Sequence, residues 1–214
     1  MAKVIAIVLI LSSLGSAFAK DKEFHPPRAF HAKTYPAHET HDNEKLSVAA
    51  DPYDMPEKTN NVFSVDYRTE GFVPIQLIFS NDNDQPMSLA AMKVTLVTKK
   101  REKIDPSRPD DIFRRITKQT RRGDEGQLPF PFPRKKNHPL SAEVREEVQS
   151  AQFLARAVEP HNTQAGFVFF DVEGIENPLA GARLLITGIA DSKGQELFYF
   201  EIPLEKYLNY QPAK

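Results

Sequence analysis

The sequence predicts a mainly β fold, a two-sheet sandwich of about seven short strands interrupted by one helical insertion. Three observations predict it. Apolar residues alternate with polar ones over runs of five to eight, and turn-forming residues recur every ten or so positions. A hydrophobic share of 40% with 15 phenylalanines supplies enough apolar surface for a core, which excludes wholesale disorder. The chain has no cysteine, so any fold it adopts is held by that core without disulfides.

The first residues read as an export signal. Lys3 gives a positive start, Val4 to Leu14 is apolar apart from Ser12 and Ser13, and Ala17-Phe18-Ala19 has the small-x-small form of a cleavage site. The apolar run stops at Gly15 and Ser16, short of the roughly 20 residues needed to cross a bilayer. Residues 1–19 are therefore expected to be a signal peptide, leaving a mature chain of 195 residues with a net charge of -2. Without cysteine there is no lipid anchor, and Asn162-Thr163-Gln164 fails as a glycosylation acceptor. These features predict a periplasmic or secreted bacterial protein.

Residues 20–44 hold four of the six histidines and three prolines with no regular apolar period, which predicts a flexible histidine-bearing arm. The globular part is then 45–214. Leu46, Val48 and Ala50 predict a first strand, and Phe63, Val65 and Tyr67 a second, with Asp51-Pro52 and Asn60-Asn61 as boundaries. Val73, Ile75, Leu77 and Phe79 share one face of the next strand, which ends at the turn signal Asn81-Asp82-Asn83-Asp84-Gln85-Pro86. Met92, Val94 and Leu96 alternate with Lys93 and Thr95 in another.

The pattern changes at Lys99, and an insertion is expected over about 100–160. Pro109, Asp110 and Asp111 open a helix that Arg121-Arg122-Gly123 close, with acids at its positive end and bases at its negative end. Its thin stripe of Ile112, Phe113 and Ile116 suits a surface helix. Leu128-Pro129-Phe130-Pro131-Phe132-Pro133 forbids a helix and predicts an extended strap with the phenylalanines as pegs. A second helix is expected from Ser141 as N-cap, with Val144, Val148, Ala151 and Ala155 on its buried face. Phe167 to Val172 is apolar on both faces, as a central strand would be. Arg183–Ala190 and Glu196–Pro203 flank the turn Asp191-Ser192-Lys193-Gly194 as a β-hairpin, and Leu204 to Leu208 predicts a helical turn.

Two stretches add a resemblance. The apolar strand ending in Asn81-x-x-x-x-Pro86, and Glu159-Pro160 followed by Gly166-Phe167-Val168-Phe169-Phe170, resemble the strand motifs of bacterial extracytoplasmic immunoglobulin-like domains of the telokin-like kind. His161 stands where those motifs carry glycine after the proline. The resemblance implies an immunoglobulin-like sandwich that serves as a binding or structural module, with no catalytic residues to carry over.

Three stretches are candidates for function: a basic block, the histidine arm, and the Leu128–Pro133 strap, whose proline-rich run suits an aromatic groove but is expected to pin its loop on the core. Between Lys93 and Lys136 there are 14 basic and six acidic residues, a block of +8 against -9 for the rest of the chain. Such a block either docks on the acidic face of its own sandwich or meets an acidic protein or another acidic envelope component. Arg114, Arg115, Lys118, Arg121 and Arg122 are the expected partner-binding residues. Nucleic acid is not expected for an exported chain whose free aromatics, Phe130 and Phe132, sit in no recognition motif. The alternative reading is a zinc, copper or nickel site on the arm from His25, His31, His38 and His41, although His38-Glu39-Thr40-His41 lacks the i, i+4 spacing of a helical zinc motif. An enzyme is not expected: G-x-S-x-G, S-x-x-K, a P-loop and a dinucleotide-binding turn are all missing, so no cofactor is implied. Carboxylate pairs such as Glu146-Glu147 read as solvated helix faces. The expected role is an exported, non-catalytic interaction or scaffolding protein of the bacterial envelope.

Overall fold

The computed structural model describes residues 24–124 and 142–209. The expected signal peptide (1–19), the expected strap (128–133) and the expected N-cap Ser141 lie outside the described residues. The strands are β1 (His38–His41), β2 (Leu46–Pro52), β3 (Phe72–Asn81), β4 (Met87–Ser88), β5 (Lys93–Val97), β6 (Lys103–Ile104), β7 (Ala157–Val158), β8 (Asn162–Asp171), β9 (Arg183–Thr187) and β10 (Phe200–Pro203). The helices are α1 (Pro56–Thr59), α2 (Pro109–Asp124), α3 (Ala142–Ala151) and α4 (Glu205–Leu208). The chain is mainly β, and its strand pairs are antiparallel.

Two four-stranded sheets run in the orders β1-β2-β3-β8 and β10-β9-β5-β6, with β4 and β7 forming a small third sheet. Leu46, Val48 and Ala50 of β2 and Val73, Ile75, Leu77 and Phe79 of β3 share one buried cluster with Val94, Leu96, Leu184, Ile186, Phe200 and Ile202 of the other sheet. The period-2 alternation read from the sequence therefore places its apolar residues between the two sheets. Each such side chain contributes about 2 kcal/mol by leaving water.

A second core covers the other face of the first sheet. Phe72, Phe167 and Phe169 meet Ile112, Phe113 and Ile116 of α2, Val144, Val148 and Ala151 of α3, and Tyr53, Phe63 and Tyr67. The thin stripe of α2 is thus its docking face, and all ten residues of β3 are buried because the strand is covered on both sides. β8 is covered on both faces too, yet it ends the sheet order and is not central. Its free edge is shielded by Ser107, whose N–H donates to Phe169 O at 2.7 Å, and by Phe153, whose N–H donates to Phe167 O at 2.9 Å. Gly166 permits that second approach, since a Cβ there would lie 2.6 Å from Phe153 Cα. α3 stops at Ala151 for the same reason, so Ala155 falls beyond the helix.

Two further sequence expectations are corrected. Phe63, Val65 and Tyr67 form no strand: their backbone turns back on itself, with Phe63 N–H bonded to Thr59 O at 2.8 Å and Thr69 N–H to Asp66 O at 3.2 Å. The alternation instead aims Phe63 and Tyr67 into the aromatic cluster, where their rings meet edge-on at 5.2 Å. The described part of the arm, from residue 24, is not free either. Ala32 and Ala37 are fully buried, Ala32 N–H donates to Ser80 Oγ at 2.9 Å, and His38–His41 pairs with β2. Ala32 packs on Ala49 and Ile78. Small residues at close contacts, with no apolar period, hold this segment, so the globular part begins well before residue 45.

Candidate functional site

Among the described residues the basic block divides in two. The first part lies on the β5–β6 hairpin and its continuation, where Lys93, Lys99, Lys100, Arg101, Lys103 and Arg108 are all exposed. Strand alternation buries Val94 and Leu96 and so turns Lys93 outward, while the register that pairs Val97 with Lys103 places Lys103 beside the second sheet's outer face. Arg101 occupies the hairpin turn with φ 66°. None of these six cations makes an ion pair among the described residues. The nearby acids are few: Glu102 in the turn, and Asp105, which accepts from Thr95 Oγ1 at 3.1 Å.

The second part lies on α2, where the expected partner residues are placed differently. Arg115 is turned into the protein. Its guanidinium forks onto the Asp171 carboxylate, reaches Glu173 at 3.2 Å and lies 4.7 Å from the Phe72 ring centroid. Desolvation raises the Asp171 carboxyl, but hydrogen bonds from Arg115 and from Glu173 N–H outweigh it and hold the group below 3.8. Arg115 therefore fastens α2 to the end of β8, which is the internal docking that charge segregation also allowed. Arg114 is exposed and pairs along the helix with Asp111 at 2.6 Å. Lys118, Arg121 and Arg122 fall on α2, but their side chains lie outside the described residues.

The four histidines are not brought together. His31 bonds Asp82 at 3.0 Å, His38 Nδ1 lies 2.6 Å from Tyr35 O, His41 stacks on Phe200 at 3.7 Å, and His25 is exposed. His38 and His41 are three apart on a strand, which sends them to opposite faces. Among the described residues no group of three histidines and carboxylates could hold a metal ion. The metal site expected on the arm is thus not built.

Two buried polar clusters were not legible in advance. Glu147 is not a solvated helix residue: it is 4% exposed and accepts from Ser64 N–H at 2.6 Å and from Tyr67 Oη at 2.8 Å. Burial and the Glu147 charge together push the Tyr67 hydroxyl far above its ordinary range. The other cluster surrounds Lys58, whose ammonium lies 2.5 Å from Asp51, 2.7 Å from Pro52 O, and over the rings of Tyr53 and Tyr207 at 4.3 and 4.8 Å. Burial lowers the Lys58 pKa and raises that of Asp51, each against the pull of its partner. Both clusters close on groups of the chain itself. A cavity of ≈ 420 Å³ opens between the 68–71 turn and the 172–176 loop, where the Arg68 guanidinium is already donating to Ile175 O and Glu176 O.

Within the described part of the basic block, the cations left without a carboxylate are therefore those of the hairpin and Arg108. Sequence reasoning counted those six residues but preferred the arginine pairs of the helix. The available signal was position: a helix with an apolar stripe must dock, whereas a hairpin turn projects.

No family model matches the chain, and no curated protein matches it. Among solved structures it is similar to a conserved hypothetical protein from Bacillus anthracis, 11% identical, with 86% of this chain and 94% of that chain covered and a TM-score of 0.32. A likeness at that level carries no argument. Among the described residues no helix is long and apolar enough to cross a membrane.

Proposed function

We propose that the chain is a non-catalytic docking module of the bacterial envelope, periplasmic or secreted, with an immunoglobulin-like fold, and that its β5–β6 hairpin binds an acidic protein. The N-terminal stretch that reads as an export signal supports the location. Strand order supports the fold: with β1 and the short β4 and β7 set aside, β2-β3-β8 and β10-β9-β5-β6 match the A-B-E and G-F-C-C′ orders of immunoglobulin sheets. The helical insertion then occupies the place of strand D. The telokin-like motifs acquire physical content as well. Asn81 is buried and its side-chain amide donates to Gln85 O at 2.8 Å and Val158 O at 3.0 Å, and His161, at the usual glycine position, has φ 54°.

The observation that carries the function is that five exposed cations of one hairpin, and Arg108 just beyond it, lack a carboxylate partner among the described residues, while Arg115 of the neighbouring helix has two. Unpaired surface charge of one sign is available for long-range attraction and is screened beyond about 10 Å at 0.1 M salt. The test is binding of poly-L-glutamate to tag-free protein spanning residues 20–214. Affinity is expected to fall about tenfold or more between low and physiological salt. Binding that is absent, or insensitive to salt, refutes the proposal.

A further inference from the structure

The two faces of the molecule are covered unequally. On the first sheet, α2, α3 and the residue 24–37 segment bury the outer side. On the second, most outward residues keep contact with solvent: Thr95, Leu185 and Thr187 are half-buried and Lys93 and Arg183 are exposed, while Val97, flanked by Arg183 and Lys103, is buried. Beside them Phe198 and Tyr199 are 70% and 40% exposed, with ring centroids 4.3 Å apart. Register fixes where that pair sits. Phe200 pairs with Ile186 and Leu197 N–H bonds Ile189 O, so Tyr199 lies opposite Thr187, which in turn pairs with Lys93. The aromatic pair and the cationic strand are thus two strand spacings apart, about 10 Å.

We infer that this outer face, built by β10, β9, β5 and β6, takes an acidic polypeptide segment that carries an aromatic residue, the acidic side chains on the hairpin cations and the aromatic on Phe198 and Tyr199. The inference rests on the docking function proposed above and names the chemistry of its partner. Charge complementarity supplies the first half: Lys93, Lys103 and the Lys99-Lys100-Arg101 turn follow β5 and β6 along one side of the face. Exposed paired aromatics supply the second, since such rings form the anchors of protein interfaces. An anionic bilayer fits less well. The row between the cations and the far end of the face holds Glu201, paired with Arg183 at 3.2 Å, and Asp105, in line with Leu185 and Thr95, and a flat anionic surface would press on the Asp105 carboxylate. An extended chain one strand wide passes beside it, and about six residues span the roughly 20 Å length of β5 and its turn.

The experiment compares three probes on residues 20–214: poly-L-glutamate, a glutamate–tyrosine copolymer, and vesicles of phosphatidylglycerol and phosphatidylcholine in equal parts. The copolymer is expected to bind about fivefold more tightly than poly-L-glutamate. Phe198→Ser with Tyr199→Thr, two exposed positions, is expected to remove that preference and leave poly-L-glutamate binding unchanged. Equal affinity for the two polymers, a preference that survives the double substitution, or tighter binding to the vesicles overturns the inference while leaving the cationic site standing. Failure of poly-L-glutamate itself to bind overturns the docking function and this inference with it.

Discussion

Replacing Glu147 by alanine tests whether the helical insertion is welded to the body of the protein. The carboxylate sits at 4% exposure on α3 and satisfies two donors on the facing segment, Ser64 N–H and the Tyr67 hydroxyl. Ser64 is exposed, so its N–H recovers a bond to water when the carboxylate is removed. Tyr67 is fully buried, and its hydroxyl is left without an acceptor, at a cost of about 1–3 kcal/mol. Loss of the charge-assisted bonds and of the side-chain packing brings the total to about 2–4 kcal/mol. For a chain of this size that is a fall in Tm of roughly 5–12 °C. Thermal unfolding followed by circular dichroism measures it. Tyr67→Phe removes the orphaned hydroxyl, so in the double variant Glu147→Ala/Tyr67→Phe the two losses should not add. A Tm within 2 °C of the wild type for Glu147→Ala, or full additivity in the double variant, would show that α3 is not held to the 63–67 segment by this carboxylate.

Two further outcomes follow from the ion pairs. Lys58→Met leaves Asp51 unpaired with only 14% of its side chain exposed, and the partial exposure of both groups reduces the cost of a broken buried pair to about 2 kcal/mol. Adding Asp51→Asn should recover most of that loss in denaturant titration, and no recovery contradicts the pairing. The Asp171 carboxyl, held below 3.8 by Arg115, contributes stability that is present above that value and is lost as pH falls through its lower folded pKa. The Tm gap between wild type and Arg115→Met should therefore be constant near neutrality and close in acid; a gap that persists in acid means that Arg115 acts through its stacking on Phe72 alone.

Much of this fold is legible from period-2 alternation. The runs at Leu46, Val73, Lys93 and Phe167 are strands because one or both faces must be buried, and the helix from Pro109 follows from its opening proline and acids. The stretch Phe63–Tyr67 misleads because aromatic pegs on a turn alternate as strand residues do. The arm misleads in the opposite direction: Ala32 and Ala37 are too small to mark a buried segment, yet smallness is what lets it lie close to β2 and β3. Phe198 and Tyr199 were hidden in an unbroken apolar run, Leu197-Phe198-Tyr199-Phe200, in which alternation must leave a ring outside. The charge block shows what composition alone leaves open. Its sum of +8 is read directly, but whether a given arginine is free depends on which acid the fold brings to it, and Asp171 is 56 residues from Arg115.

The central claim is that, among the described residues of the basic block, the free cations are those of the hairpin and not Arg114 or Arg115 of α2. The poly-L-glutamate titration, repeated on Lys100→Ser/Arg101→Gly/Lys103→Ser and on Arg115→Met, addresses it most directly. Glycine suits the φ of 66° at position 101, so the triple variant should keep its fold. The account predicts that the triple variant loses about tenfold in affinity and about half of its salt dependence, while Arg115→Met, still folded by circular dichroism, binds as the wild type does. Equal losses in the two variants, or a loss confined to Arg115→Met, would contradict it.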